Sequence, residues 1–384
     1  MKDFEREKLL EIFEDLLLIH SPSKREEKVA DYIINFVEEL GGEVYLDQSQ
    51  DKYGGKAPTI FAKFAGEGEG VTFSAHMDVI EPNKDLKIIK EDEIWRTDGK
   101  TTLGGDDKGG LAAILYSIYY LVKNNYKHRD IYAIFTPGEE VGMLGARNIN
   151  WEEVYKNMSP AKNMIVVDNA GSCEKVAYKA PTSYSYKFKI RGKSAHAGIE
   201  PEKGISAIML AAKAISKFKN LRIDEFTTAN ISNINSNFPT NVVPDYVEFS
   251  GEIRGHDKDH VLEILEEYQQ IVRNLTEDFD FEKTLDYPAL APSDMEFAKE
   301  VIKSYKNVGV EAKEVIIGGG SDANFFAEEG FNSLIVGVGM EKVHTKEEYI
   351  VLEDLENTTR AIIDYLKLDW LIKNKYKRRV MRFI

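Results

Sequence analysis

Histidine and carboxylate side chains follow four separate apolar segments of this chain, at the point where each segment ends. In chain order they are His76 and Asp78 after 71–75, Glu139 and Glu140 after 131–135, Asp168 after 164–167, and His344 a few residues after 333–338. We interpret the apolar segments as strands of one sheet, and open α/β sheets bind their ligands at the carboxyl ends of the strands. Imidazole and carboxylate groups suit zinc-like metal ions. The sequence therefore predicts a metal site at this edge.

Each of these signals, taken alone, has an ordinary explanation. His76 and Asp78 are compatible with a surface pair, and the two adjacent glutamates are compatible with solvated carboxylates. Asp106 and Asp107, in the glycine-rich segment 103–110, are compatible with a turn that leads into a helix cap. Together these residues are far more specific evidence for a metal site. They supply both imidazole and carboxylate ligands, and one carboxylate remains that is not needed as a ligand.

The order of apolar and amphipathic segments predicts two domains. Strand patterns alternate with helix patterns in the first half, and 109–122 is an apolar helix that we expect to pack against the sheet. We expect an α/β domain, formed by 1–178 and 287–384, with a mixed, mostly parallel sheet flanked by helices. Residues 179–286 show a different order of strand, helix, strand, strand and helix, with a last strand at 281–285. This order predicts an inserted α+β domain of the split βαβ type.

Composition narrows the class of protein. A chain of 384 residues suits two domains, and no apolar run approaches the roughly 20 residues of a membrane span. The formal charge of −15 disfavours a nucleic-acid partner. One cysteine, Cys173, excludes an intrachain disulfide, and the first residues show no secretory signal, so we expect a cytoplasmic protein without a membrane partner. The basic segment 373–379 is compatible with a solvated helix end and with an anion-binding tail.

Six segments resemble, in the same order, sequence blocks of the co-catalytic zinc exopeptidases. They are 74–79 (SAHMDV), 104–110 (GGDDKGG), 137–142 (PGEEVG), 192–198 (GKSAHAG), 239–244 (PTNVVP) and 318–323 (GGGSDA), followed by His344. The resemblance runs from about residue 10 to about residue 365. The branch that it resembles most is the peptidase T-like one, the tripeptide aminopeptidases.

The resemblance implies a role for each matching residue. Two Zn²⁺ ions, or Co²⁺ or Mn²⁺ in their place, would be held by His76 and Asp168 on one side, by Glu140 and His344 on the other, and by Asp106 as a bridge. The bond between Asp106 and Asp107 is often cis in this family. Asp78 would accept a hydrogen bond from His76 and fix its tautomer. Glu139 would be the general base.

The implied chemistry is hydrolysis of a peptide bond by a metal-bridged water. Two metal ions roughly 3.5–4 Å apart lower the pKa of that water and polarise the scissile carbonyl. A carboxylate beside the water can accept its proton and pass it to the leaving amine. Because Glu139 and Glu140 need different roles, we expect their side chains to point to opposite sides, as neighbours at a strand end do. Only the resemblance says which glutamate is the base.

The inserted domain supplies three further candidate residues, and the resemblance implies a role for His196 and a dimer. His196 would stabilise the oxyanion, in several relatives across the interface of a homodimer. Arg254 would bind a substrate carboxylate, although an exposed arginine at a strand end is often only solvated. Asn241 would hydrogen-bond the substrate. The run at 318–320 precedes a predicted helix and suits either an anionic group or a tight turn.

Three functions are compatible with these residues. The first is removal of the N-terminal residue from short peptides, which rests on the resemblance to tripeptide aminopeptidases. The second is hydrolysis of N-acyl amino acids, other amides or dipeptides on the same dimetal centre, because fold and site cannot choose the substrate. The third is a peptide-binding protein without activity, which the presence of every expected ligand and of Glu139 disfavours.

Overall fold

The computed structural model describes residues 1, 3–292 and 294–368 of the chain. They form two compact units. The first unit comprises Met1–Tyr178, Ala291–Ile316 and the described residues from Ser321 onward, and the second comprises Lys179–Leu290 and Ile317–Gly320. The second unit therefore extends beyond the predicted end at residue 286 and includes a short later segment. The basic segment 373–379 lies outside the described residues.

The helices of the described residues follow the amphipathic patterns of the sequence. In chain order they are α1 (Arg6–Leu18), α2 (Glu27–Glu39), α3 (Gly105–Lys123), α4 (Leu144–Asn148), α5 (Trp151–Asn157), α6 (Ala207–Ile215), α7 (Lys258–Arg273), α8 (Met295–Asn307), α9 (Asp322–Glu328) and α10 (Leu352–Leu366). Within this part of the chain, no helix combines the length and the apolarity that crossing a bilayer requires.

The strands of the described residues form three sheets. In chain order they are β1 (Glu43–Asp47), β2 (Thr59–Phe64), β3 (Val71–His76), β4 (Ile88–Lys90), β5 (Ile94–Thr97), β6 (Ile131–Thr136), β7 (Asn163–Asn169), β8 (Lys175–Lys179), β9 (Thr182–Arg191), β10 (Leu221–Arg222), β11 (Thr227–Asn235), β12 (Tyr246–Gly255), β13 (Phe279–Tyr287), β14 (Lys313–Ile316), β15 (Asn332–Gly337), β16 (Met340–Glu341) and β17 (Tyr349–Val351).

The largest sheet lies in the first unit and has the strand order β1-β2-β6-β3-β7-β15-β8-β14. Its central strands β6, β3, β7 and β15 are parallel, whereas β1, β2 and β8 pair with their neighbours in the antiparallel sense. The strands β3 and β6 pair in register from Val71 with Ile131 to His76 with Thr136. The predicted mixed, mainly parallel sheet with flanking helices is confirmed, and the carboxyl ends of its central strands coincide.

Helix α3 is the buried helix that the sequence predicts over 109–122. It lies against the large sheet and is buried over most of its length, because its positions are apolar or small on every side. Asp106 and Asp107, near its start, have non-helical backbone angles, so the regular helix begins after them. This irregular start carries the carboxylates discussed below.

A small antiparallel sheet of the first unit, in the order β16-β17-β5-β4, was not predicted. Its strands have only two to four residues, which is too short for a visible alternation of apolar and polar positions. The hairpin formed by β16 and β17 includes the loop 342–348, and His344 lies in this loop.

The second unit is the predicted split βαβ domain. Its antiparallel sheet has the order β10-β11-β12-β9-β13, and helices α6 and α7 pack against it. Aromatic side chains fill the core, with Phe218 stacked on Tyr268 at 3.9 Å between ring centroids. Along β12 buried residues alternate with partly exposed ones, which indicates one solvated sheet face. Helix α6 begins at Ala207, because Ser206 caps its first turn by accepting the N–H of Met209.

Candidate metal centre

Two predicted ligands lie at the ends of the parallel strands, as the strand pattern predicts. His76 is the last residue of β3, and Asp168 is the last residue but one of the neighbouring strand β7. Their side chains meet, with His76 Nε2 at 3.6 Å from Asp168 Oδ1. The side chains of His76 and Asp78 are 2% and 0% exposed, so these two residues are not the solvated surface pair of the ordinary explanation.

The carboxylate of Asp106 lies between two histidines. Its Oδ1 is 3.1 Å from Nε2 of His76, and its Oδ2 is 3.2 Å from Nε2 of His344. Each oxygen therefore faces a different imidazole. This is the disposition of a carboxylate that can bridge two cations, and it agrees with the role that the resemblance implies for Asp106.

Glu140 completes the second half of the cluster. Its Oε2 is 2.9 Å from Nε2 of His344. Its Oε1 is buried and has no hydrogen-bond partner among the residues that the structure describes. A buried carboxylate oxygen without a donor is unfavourable, and a cation bound in this cluster would satisfy it. Ligand atoms of His76, Asp106 and Glu140 lie within 4.8 Å of one another. The donor set therefore fits a metal ion.

Asp107 forms a second geometric cluster with His76 and Asp168, but its oxygens are already engaged. Its Oδ2 accepts the backbone N–H of His76 at 3.2 Å, and its Oδ1 accepts that of Gly110 at 3.1 Å. A Cβ at position 110 would lie only 2.2 Å from the carbonyl oxygen of Val167, so only glycine permits this close approach. We therefore favour Asp106 as the ligand. The bond between Asp106 and Asp107 is cis, as the resemblance implies.

Asp78 contacts the imidazole of His76 through its main chain and its side chain. Nδ1 of His76 lies 3.0 Å from the backbone carbonyl oxygen of Asp78 and 3.4 Å from its Oδ1. The Asp78 carboxylate also accepts the hydroxyl of Ser23 and two backbone N–H groups, those of Glu139 and Glu140. No signal in the sequence points to Ser23, because it lies far from the matching blocks.

The side chains of Glu139 and Glu140 were expected to point to opposite sides as neighbours at a strand end, but the two residues do not lie at a strand end. They do not continue strand β6, which ends at Thr136, but lie in a turn three and four residues later, so the strand argument was wrong. The two side chains nevertheless have different surroundings. Glu140 reaches His344, whereas the carboxylate of Glu139 has no hydrogen bond or ion pair within the described part of the chain. Glu139 is therefore the carboxylate that is left over.

The pKa values of the cluster show its excess of negative charge. Burial raises the pKa of Glu139 well above its usual range, and the carboxylate of Asp168 adds to this shift. Burial likewise raises the pKa of Asp168 to about 7. The carboxylates of Asp106 and Glu140 raise the pKa of His344 to about 10. Because these carboxylates favour any positive charge placed among them, the electrostatics of the cluster also fit a cation.

Asp322 is a buried carboxylate beside this cluster, and no role was predicted for it from the sequence. It accepts the hydroxyl of Thr136, the last residue of β6. Burial raises its pKa to about 6. The available signal was its position within the matching block 318–323. The neighbouring Ser321 caps helix α9, so the glycine run before it leads into a capped turn.

The blocks 192–198 and 239–244 pair with each other in the second unit. His196 forms a bridge with Val242, and the N–H of Ala197 donates to the carbonyl of Asn241 at 2.8 Å. The exposed His196 accepts the N–H of Gly198 on Nδ1 at 3.2 Å. A neutral imidazole that accepts on Nδ1 carries its proton on Nε2. His196 therefore presents an Nε2–H donor, which is the group that an oxyanion requires.

The side chain of Arg254 is 35% exposed and pairs with a glutamate on the same strand. Its guanidinium meets Glu252, with an Nη2 hydrogen bond of 3.0 Å and an Nε to Oε1 distance of 3.0 Å. A substrate carboxylate would have to compete with this pair. Residues 252 and 254 are two apart on β12 and share one face, so this signal was present in the sequence.

A mixed sheet with imidazole and carboxylate side chains clustered at the ends of its parallel strands fits a metal-dependent enzyme. The model of peptidase family M20/M25/M40 matches residues 72–368 of this chain. The chain therefore belongs to this peptidase family, as its sequence blocks predicted.

Three known proteins are similar over nearly the whole chain. The uncharacterized protein YqjE of Bacillus subtilis (strain 168) is 34% identical over 363 residues, which cover 93% of this chain and 96% of YqjE. The crystal structure of aminopeptidase PepT from Bacillus cereus ATCC 10987 has a TM-score of 0.89 at 31% identity, covering 94% of this chain and 98% of that one. A tripeptidase from Staphylococcus aureus Mu50 has a TM-score of 0.90 at 31% identity, covering 95% and 98%. The chain is a peptidase T-like metallo-exopeptidase that hydrolyses peptides with a metal cofactor.

Proposed function

We propose that the protein removes the N-terminal residue from short peptides, tripeptides first among them, with two Zn²⁺ ions per chain. The observation that carries this proposal is the carboxylate of Asp106, whose two oxygens each face a histidine. The names of two similar proteins, an aminopeptidase and a tripeptidase, support the choice of substrate. Co²⁺ and Mn²⁺ also suit these ligands. A cytoplasmic location stays a prediction.

The ligands divide into two sets that share one residue. His76 and Asp168 would hold the first ion, Glu140 and His344 the second, and Asp106 both. The contacts within each set, from 2.9 to 3.6 Å, support this division. Bound ions would polarise the scissile carbonyl and lower the pKa of the attacking water.

Glu139 would move the proton that the reaction requires. The attacking water must lose a proton as its oxygen bonds to the carbonyl carbon, and the leaving amine must gain one as the C–N bond breaks. Glu139 would make both transfers. Its position next to the proposed ligand Glu140, and a carboxylate without a partner among the described residues, support this role. Its backbone is fixed by Asp78.

Residues of the second unit would assist the same reaction. The Nε2–H of His196 would stabilise the oxyanion, and Asn241 would hydrogen-bond the substrate. Arg254 would bind a substrate carboxylate after exchanging Glu252 for it. We include a homodimer formed through the second unit in the proposal, with sedimentation of the purified protein as its test.

The first experiment compares a tripeptide that has a free amino terminus with its N-acetylated twin, using zinc-loaded protein. Release of the first residue from the free peptide alone would support the proposed aminopeptidase. Preference for the acetylated twin would make the protein an N-acyl amino acid hydrolase with the same metal centre. If neither is cleaved, dipeptides are tested next, and inactivity on these as well would favour a peptide-binding protein.

A further inference from the structure

Glu348 is a buried carboxylate beside the metal centre that belongs to neither ligand set. It is the last residue of the loop 342–348 and is 2% exposed. Its Oε2 accepts the backbone N–H groups of Leu103 at 2.8 Å and Gly104 at 2.9 Å, and its Oε1 accepts that of Asp106 at 3.1 Å. One side chain therefore binds three of the four successive residues that lead into the bridging ligand.

These contacts require a carboxylate. Both oxygens accept hydrogen bonds, so an amide at position 348 would turn an N–H₂ group towards at least one N–H donor. Little space is available for a shift, because a Cβ at position 105 would lie 3.2 Å from Oε1 of Glu348. Glu348 therefore holds the segment 103–106 in one position. It can do so only when both oxygens of its side chain accept hydrogen bonds, as those of a charged carboxylate do.

Glu348 also lies on the segment that carries His344. The side chain of His344 is 52% exposed, and its backbone has a positive φ of 64°, a conformation that non-glycine residues seldom adopt. Nε2 of His344 nevertheless lies 3.2 Å from Oδ2 of Asp106. The contacts form a closed circuit from Glu348 to the amide of Asp106, from its carboxylate to His344, and along the backbone to Glu348 again.

We propose that Glu348 is a positioning residue that fixes His344 relative to Asp106 and thereby forms the site of the second metal ion. This inference rests on the proposed dimetal centre. Exposed loops rarely hold a ligand in place without support, and outer residues that orient ligands typically change metal affinity about 10- to 100-fold. Glu348 is such a support for a ligand that is otherwise half exposed.

The neighbouring Glu347 provides a matched control. Its side chain is 74% exposed and pairs with Lys342 at 2.7 Å, so Glu347→Gln makes the same chemical change at a position without contact to 103–106. Both variants and the full-length wild type are titrated with Zn²⁺ by equilibrium dialysis, and with Co²⁺ by visible absorption. We expect Glu348→Gln to weaken the second binding step about 10- to 100-fold and the first step much less, and Glu347→Gln to match the wild type.

His344→Ala supplies the reference for a protein that has lost the second site. The absorption spectrum of Co²⁺-loaded Glu348→Gln should resemble that of His344→Ala. A role in stability alone would lower the unfolding temperature of the metal-free protein and leave the ratio of the two affinities unchanged, which would overturn the inference. Two equal steps with wild-type affinities would also overturn it.

Two further outcomes can be distinguished from a failure of this inference. If the wild type binds fewer than two ions, the proposed dimetal centre fails, whatever Glu348 does. If Glu348→Gln does not fold, as judged by circular dichroism, Gly105→Ala is titrated instead, because its new methyl group would press on Oε1 of Glu348. Selective loss of the second step in Gly105→Ala supports the inference, and unchanged binding refutes it.

Discussion

The carboxylate of Asp78 accepts the backbone N–H of Glu139 at 2.9 Å. It also accepts the N–H of Glu140 at 3.2 Å and the hydroxyl of Ser23 at 2.7 Å. Residue 78 follows strand β3, and the two glutamates follow strand β6, so one buried carboxylate joins two neighbouring strand ends. Since Glu140 contacts His344 and Glu139 does not, the turn held by Asp78 separates the surroundings of the two glutamates.

Asp78→Asn should therefore lower turnover as well as stability. The amide would present an N–H₂ group to at least one of its three donors, and a buried group left without a partner costs about 1–3 kcal/mol of unfolding free energy. We expect kcat to fall roughly 10- to 100-fold, because the turn positions both the proposed ligand Glu140 and the proposed base Glu139. Steady-state kinetics and urea unfolding measure the two effects. Asp31→Asn, at an exposed position of α2, is the control, and equal behaviour of the two variants would contradict this role for Asp78.

Glu139→Gln should separate catalysis from metal binding. Loss of a general base typically lowers the rate about 10²- to 10⁴-fold, and we expect kcat to fall within that range. The bound metal, measured by atomic emission, should stay at the wild-type level, because Glu139 is not in either ligand set. Glu140→Gln should lose metal instead. If both variants lost metal to the same extent, Glu139 would be a ligand and the base would have to be sought elsewhere.

The positions of the ligands could be predicted from the sequence where a long strand delivers them. His76 is the last residue of a six-residue strand, and Asp168 is the last but one of a seven-residue strand. The apolar runs of both strands are visible in the sequence, and parallel pairing brings the two side chains together. Asp106 could be predicted as a ligand only from the resemblance, because the irregular start of a helix leaves no periodic pattern in the sequence. His344 also required it, because the strands β16 and β17 that flank its loop have two and three residues.

The contacts that support the site could not be predicted in the same way. Glu347 and Glu348 are identical neighbours, and only the tertiary fold exposes one and buries the other. Asp78 was assigned to the imidazole of His76, but which acceptor the ring uses depends on distances of 3.0 and 3.4 Å. The pairing of Arg254, in contrast, could have been predicted from the sequence. Its partner Glu252 lies on the same face of one strand, and strand periodicity alone would have indicated the pair.

Metal affinity should rise with pH. Asp106 and Glu140 raise the pKa of His344 to about 10, and burial raises that of Asp168 to about 7. Below about pH 7 both groups hold a proton in the metal-free protein, and each proton must leave before the group can bind a metal ion. The logarithm of the apparent Zn²⁺ affinity should therefore increase with pH, more steeply below about pH 7 than between about pH 7 and pH 9.

Competition with a chelator of known proton affinity measures this dependence, and a weakly buffered titration measures the protons released on binding. His344→Ala should flatten the upper part of the curve, because the imidazole that titrates there is missing. An affinity that does not change with pH would show that these two side chains do not give up protons to a metal.

Lys108→Met should change how stability depends on pH. The Lys108 ammonium is buried and donates to the carbonyl oxygens of Leu16 at 2.8 Å and Ile19 at 2.7 Å, at the end of α1. Burial lowers its pKa from 10.5 to about 7, although the carboxylates of Asp78 and Glu348 oppose the shift. Between these two values the unfolded chain holds a proton that the folded protein has lost. The contribution of Lys108 to stability therefore rises as the pH increases from about 7 to about 10.

The measurement is the difference in unfolding free energy between the wild type and Lys108→Met, both metal-free, at several pH values. This difference should grow in favour of the wild type by up to about 1.4 kcal/mol per pH unit over that window, because titrating groups that do not interact with Lys108 cancel. Lys100→Met, at an exposed position, should show no such slope. A difference that stayed constant with pH would mean that the Lys108 ammonium keeps its proton in the folded protein, held by the two carbonyl oxygens strongly enough to offset its burial.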